Sequence, residues 1–100
     1  MATHRFVVIS DPTDTWDEQK KAVWEAEGKQ SLARFLEDGT LLRAGRYTNA
    51  ADGGGIAIFA TREAAEAYVA DSPFLRAGVL KHPQILEWLE ITADVGAPTA

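Results

Sequence analysis

Apolar residues in this chain recur first with a strand period, then a helical one, then two strand periods in succession, a second helical one and a last strand period. Few folds accept that order. Arg5-Phe6-Val7-Val8-Ile9 is rich in β-branched and aromatic residues and is stopped by Asp11-Pro12, which predicts a first strand apolar on both faces. From Trp16 onward, Trp16, Val23, Trp24, Leu32, Phe35 and Leu36 recur at combinations of three and four. Asp17 and Glu18 suit the first turn of a long helix ending near Gly39. Gly28 falls on the buried stripe of that helix, four residues from both Trp24 and Leu32. A glycine there costs about 1 kcal/mol relative to alanine, and a kink is expected.

Thr40 to Tyr47 reads as a second strand, and Asn49 to Gly55, with three successive glycines, as a turn into a third strand, Ile56 to Ala60. Thr61 stands where a helix N-cap is wanted, with Glu63 in the first turn and Ala64, Ala65, Ala67, Tyr68 and Val69 behind it. Pro73 ends this second helix, Phe74 to Gly78 reads as a turn or short helical loop, and Ile85 to Ile91 as the last strand. The order βαββαβ predicts a ferredoxin-like α+β domain, a four-stranded antiparallel sheet with both helices on one face. Strands one and three are apolar in both directions, so the uncovered face calls for a second copy of the chain, as a homodimer. A single domain is expected over residues 1–92, with 93–100 a flexible tail.

Composition narrows the partners. With 46% hydrophobic and 25% charged residues the chain has the balance of a globular domain. Fifteen acidic against ten basic side chains give a net charge of −5, with no Lys or Arg cluster that would track a phosphate backbone, so nucleic acid is not an expected partner. No apolar stretch approaches the roughly 20 residues that span a bilayer, and Met1 to Arg5 has no signal-peptide character; neither a membrane partner nor export is expected, and the location expected is cytoplasmic. The absence of cysteine excludes disulfides, thiolate metal sites and a thiol nucleophile. His4 and His82, the two histidines, show neither H-x-H nor H-E-x-x-H spacing, so no metal site is expected and both read as solvated.

Three stretches carry a resemblance. Leu32 to Gly45, ending in Gly39-Thr-Leu-Leu-Arg-Ala-Gly45, and Ser72-Pro73-Phe74-Leu75-Arg76-Ala77-Gly78-Val79 resemble two motifs of the YciI-related (YCII) family. The glycine-rich hairpin and the helix Arg62 to Val69 stand in order between them. The resemblance implies a dimeric α/β barrel and a cofactor-free enzyme of lyase, isomerase or cyclase type, acting on a small aromatic or hydroxylated acid. The family pairs a histidine in the first helix with an aspartate that orients it, so that the ring can move a proton near neutral pH. Here Gly28 stands at the histidine position and Ser72 at the aspartate position, with Asp71 one residue away. The dyad is absent, and its activity does not carry over with it.

The remaining candidates come from residue chemistry. Trp24 beside the gap at Gly28 is either packed shut or borders a cavity for a flat apolar ligand, with Phe74 nearby. Strict alternation places Arg43 and Tyr47 on one face of the second strand and Arg46 on the other. Arg43 with Tyr47 would suit a carboxylate or phenolate if that face were helix-covered, and would otherwise be a charged edge. Asp71, Ser72 and Arg43 are the weak catalytic candidates; Trp24, Gly28, Arg43, Tyr47 and Phe74 are the ligand-binding ones. Asp17 to Lys21 reads as a solvated helix face. Two rivals stand beside a ligand-binding dimer: a non-catalytic accessory protein whose dimer is the functional unit, and a cofactor-independent monooxygenase-like protein of the same barrel fold.

Overall fold

The computed structural model describes residues 2–91; the tail expected at 93–100 lies outside them. Strand β1 (Ala2–Pro12) leads into α1 (Trp16–Val23), a π-helical turn (Trp24–Gly28) and α2 (Lys29–Glu37). These three pieces form one continuous helix. The expected irregularity near Gly28 takes the form of the π turn, which holds one residue more than an α turn and rotates α1 relative to α2. The helix ends at Gly39, whose φ of +82° suits glycine, and the Thr40 N–H donates to the Phe35 carbonyl at 3.1 Å. Strands β2 (Leu41–Arg46) and β3 (Gly55–Phe59) follow, then α3 (Arg62–Asp71), the short α4 (Pro73–Arg76) and β4 (Leu80–Ile91). Thr61 caps α3, its hydroxyl accepting from the Ala64 N–H at 3.1 Å.

The four strands are antiparallel in the order β2-β3-β1-β4, the ferredoxin-like arrangement. Both strands of the β1–β4 pair run further than their apolar cores suggest, and the ladder extends from Ala2↔Ile91 to Pro12↔Leu80. Phe6, Val8 and Ser10 of β1 pair with Phe59, Ala57 and Gly55 of β3 and face the helices. Val7, Ile9, Ile56 and Ile58 alternate with them onto the other face, joined there by Leu86 and Trp88, which are 45% and 44% exposed.

Two apolar clusters hold the helices. In the first, Phe35 from α2 and Ala64 and Ala65 from α3 bury Val8, Leu41, Ala57 and Phe59, with Leu32 and Tyr68 at its border. In the second, Trp16 from α1 meets Phe74 from α4, Val79 and Leu80, and the Trp16 and Phe74 rings cross edge to face at 5.8 Å. The first cluster seats α2 and α3 on the sheet, whereas the second binds α1 to α4. The seam between the clusters is open.

Candidate functional site

The seam holds a cavity of about 640 Å³, within the usual range for a small-molecule site. Its floor is the sheet, with Val8 and Ser10 of β1 beside the small residues Ala44, Gly45, Gly55 and Ala57. Small residues there leave room for a flat ring to lie along the strands. Trp16 and Trp24 from the first helix, Phe74 from α4 and Leu32 and Tyr68 from the first cluster complete the apolar walls. The π turn matters here, because it begins at Trp24 and joins α1 and α2, both of which border the same space.

Four charged groups line the same space: Asp17, Lys20, Lys21 and Arg46. Lys20 Nζ lies 2.7 Å from Asp17 Oδ1, so this pair is internally neutral. Among the described residues Lys21 and Arg46 have no ion-pair partner. The cavity therefore carries a net positive charge in a chain whose total is −5. Such a focus attracts anions of a size that fits.

Not all of the residues singled out from sequence come together here. Trp24 and Phe74 line the cavity. Gly28 lies behind them: a Cβ there would stand 2.7 Å from Phe74 Cζ, so the gap on the helix is filled, and by Phe74 more than by Trp24. Arg43 points to the face of the sheet away from the helices. Leu41 pairs with Phe59 and Arg43 with Ile58, so Leu42 forms a bulge that reverses the alternation after the buried Leu41. Arg46, paired with Gly55, is the arginine on the helix side. Tyr47 lies over Gly53, where an added Cβ would meet its ring at 2.9 Å, and is 39% exposed.

Asp71 is exposed and bound to Arg34 at 3.3 Å, in a separate polar cleft with Glu27 and Arg76. It does not line the cavity. Ser72, 1% exposed, caps α4 by accepting from the Leu75 N–H at 3.5 Å and lies beside the Tyr68 hydroxyl. Burial pushes the Tyr68 phenol above its ordinary value of 10.0, and the Ser72 hydroxyl beside it offsets part of that rise. His4 and His82 sit at opposite ends of the β1–β4 ladder, on Glu87 at 2.8 Å and Asp11 at 3.4 Å.

Sequence reasoning passed over Trp16, Lys20, Lys21, Arg46 and Tyr68 as site residues. Asp17 to Lys21 is solvated as expected, with Lys20 half-buried, and Asp17, Lys20 and Lys21 of this face also border the cavity. A signal for this was present, since Trp16, Lys20 and Trp24 recur every four residues and so share a stripe. No group of His, Asp and Glu suited to a metal occurs among the described residues, and no helix among them is long and apolar enough to cross a membrane.

Among solved structures, the chain is similar to 5-chloro-2-hydroxyhydroquinone dehydrochlorinase (TftG) from Burkholderia phenoliruptrix AC1100, solved in complex with 2,5-dihydroxybenzoquinone. The TM-score is 0.61 at 15% identity, over 86% of this chain and 93% of that one. A hypothetical protein of Arabidopsis thaliana, known from a solution structure, matches with a TM-score of 0.48 and 14% identity, over 90% of this chain and 89% of that one. No family model matches the chain, and no curated protein does. The likeness to the dehydrochlorinase is one of fold.

Proposed function

We propose that the chain is a small-molecule-binding protein of YciI-like type whose ligand is an aromatic acid, held as its anion between the sheet and the first helix. The observation that carries this reading is a cavity with an aromatic wall, a floor of mostly small residues and two unpaired cations, Lys21 and Arg46, at its border. A ring gains from burial against Trp16, Trp24 and Phe74, and a carboxylate or phenolate gains a forked contact with Arg46. The dehydrochlorinase of the same fold, solved with a flat dihydroxybenzoquinone, supports a hydroxylated ring as ligand.

The reaction class that goes with this reading is a cofactor-free lyase or isomerase reaction of the bound acid, run without the family's histidine–aspartate pair. Trp24 and Phe74 keep the ligand-binding role expected of them, and Arg46 takes the role expected of Arg43. Gly28 serves by admitting the Phe74 ring, and Ser72 serves through Tyr68. The working unit of this reading is a homodimer, supported by the apolar sheet face of Val7, Ile9, Ile56, Ile58, Leu86 and Trp88.

Isothermal calorimetry with a panel of benzoates, hydroxybenzoates and aliphatic acids of equal charge tests the reading. One aromatic acid bound per chain, with the aliphatic acids excluded, is the expected result. Failure of every aromatic acid to bind would overturn it.

A further inference from the structure

The cavity wall formed by the first cluster is apolar except at Tyr68. Its ring is fixed by Phe59, with centroids 5.2 Å apart, and by Phe35 at 5.9 Å. Four residues on, just past the end of α3, Ser72 lies beside the phenol as a hydroxyl able to donate to it, while its own oxygen is engaged by the Leu75 N–H. A serine hydroxyl has a single hydrogen to give. Given to Tyr68, that hydrogen completes a chain from the Leu75 amide through Ser72 to the phenol, and leaves the Tyr68 O–H as the terminal donor. Each bond in such a chain polarises the next. The phenol stays neutral, and hence a donor, through the physiological range.

Position along β3 separates this donor from the cations. Arg46 pairs with Gly55 at the start of the strand, whereas the Tyr68 ring packs on Phe59 at its end. Four residues of strand span about 13 Å between backbone positions. A ligand anchored at Arg46 therefore reaches towards Tyr68 with its far edge.

We infer that Tyr68 is a ligand-binding residue that donates its phenol hydrogen to an oxygen across the ring from the ligand's carboxylate. The ligand class is then an aromatic acid bearing a hydroxyl or carbonyl oxygen remote from the acid group. This inference rests on the proposed function and narrows it. It also gives Ser72 a role as a positioning residue, which fixes the phenol oxygen and the direction of its hydrogen.

The test compares 4-hydroxybenzoate with benzoate by calorimetry on the full chain. The wild type is expected to bind 4-hydroxybenzoate about tenfold more tightly, the effect of one hydrogen bond in a buried site. Tyr68→Phe, which keeps the ring in its aromatic cluster, is expected to abolish the preference, so that 4-hydroxybenzoate and benzoate bind with equal affinity to the variant. Ser72→Ala is expected to reduce the preference in the same direction, an effect that loss of the α4 cap alone would not produce. Equal binding of the two acids by the wild type, or an undiminished preference in Tyr68→Phe, would overturn the inference while leaving the proposed function standing. Binding of neither acid, together with failure of the whole aromatic panel, would overturn both. Equal binding by the wild type overturns the inference even if both variants fold poorly.

Discussion

The Phe74 ring occupies the volume that a side chain at Gly28 would need: a Cβ there would stand 2.7 Å from Cζ and 2.9 Å from Cε2. This contact explains a glycine on the buried stripe of a long helix. It also locks α4, through Phe74, to the π turn and sets one wall of the cavity. Gly28→Ala gains about 1 kcal/mol of helix propensity but overpacks a buried ring, a cost of about 1–3 kcal/mol. The expected result is a lower melting midpoint in the wild-type background and a higher one in a Phe74→Leu background. The same sign in both would show that the ring is not what excludes a side chain.

The two arginines of β2 are expected to separate cleanly. Arg46→Gln should weaken binding of an aromatic acid by roughly ten- to a hundredfold, the range for a hydrogen bond to a charged group. Arg43→Gln, on the opposite face of the sheet, should leave the affinity unchanged. Calorimetry on the two variants checks this, and equal losses would place the ligand elsewhere.

Much of the fold was legible because its signals are local. The Thr61 cap, the turn at Asn49 to Gly55, the break at Pro73 and the βαββαβ order follow from residue chemistry and period, and each stands in the structure. The face of Arg43 was not legible. Its side depends on a bulge at Leu42, which is set by how β2 meets β3 and leaves no mark on the strand itself. The cavity was half legible: Trp24 and Phe74 were marked by the Gly28 gap, but the open space lies between two clusters joined by residues far apart in sequence. Tyr68 went unmarked for the same reason, reading as one more apolar residue of an alanine-rich helix.

Two groups give stability an expected pH dependence. Asp38 accepts hydrogen bonds from the Thr40 hydroxyl and N–H, which hold its carboxyl below the ordinary 3.8. Its contribution is therefore present above about pH 4 and is lost as pH falls through the depressed folded value. Tyr68 behaves in the opposite sense: its folded value is raised above 10.0. Stability from it is complete below pH 10 and is lost as pH rises through the folded value. Thermal melts across both ranges should show a shallower acid limb in Asp38→Asn and a shallower alkaline limb in Tyr68→Phe.

The sheet face opposite the helices is expected to close against a second copy. Leu86→Glu places a charge opposite Val7, between Ile9 and Trp88, without touching the cavity. Sedimentation should find a dimer for the wild type and a monomer for the variant. A wild-type monomer at all concentrations would remove the dimer from the account.

The central claim, an aromatic acid seated at the seam of the two clusters, can be followed with the three tryptophans the chain already has. Trp16 and Trp24 border the cavity, and Trp88 lies on the opposite face of the sheet. An NMR titration with 4-hydroxybenzoate that observes the three indole N–H signals is the most direct measurement. The predicted result is a saturable shift of the Trp16 and Trp24 signals with Trp88 unmoved. Saturable movement of Trp88 alone, or no movement of any signal at millimolar ligand, would contradict the account.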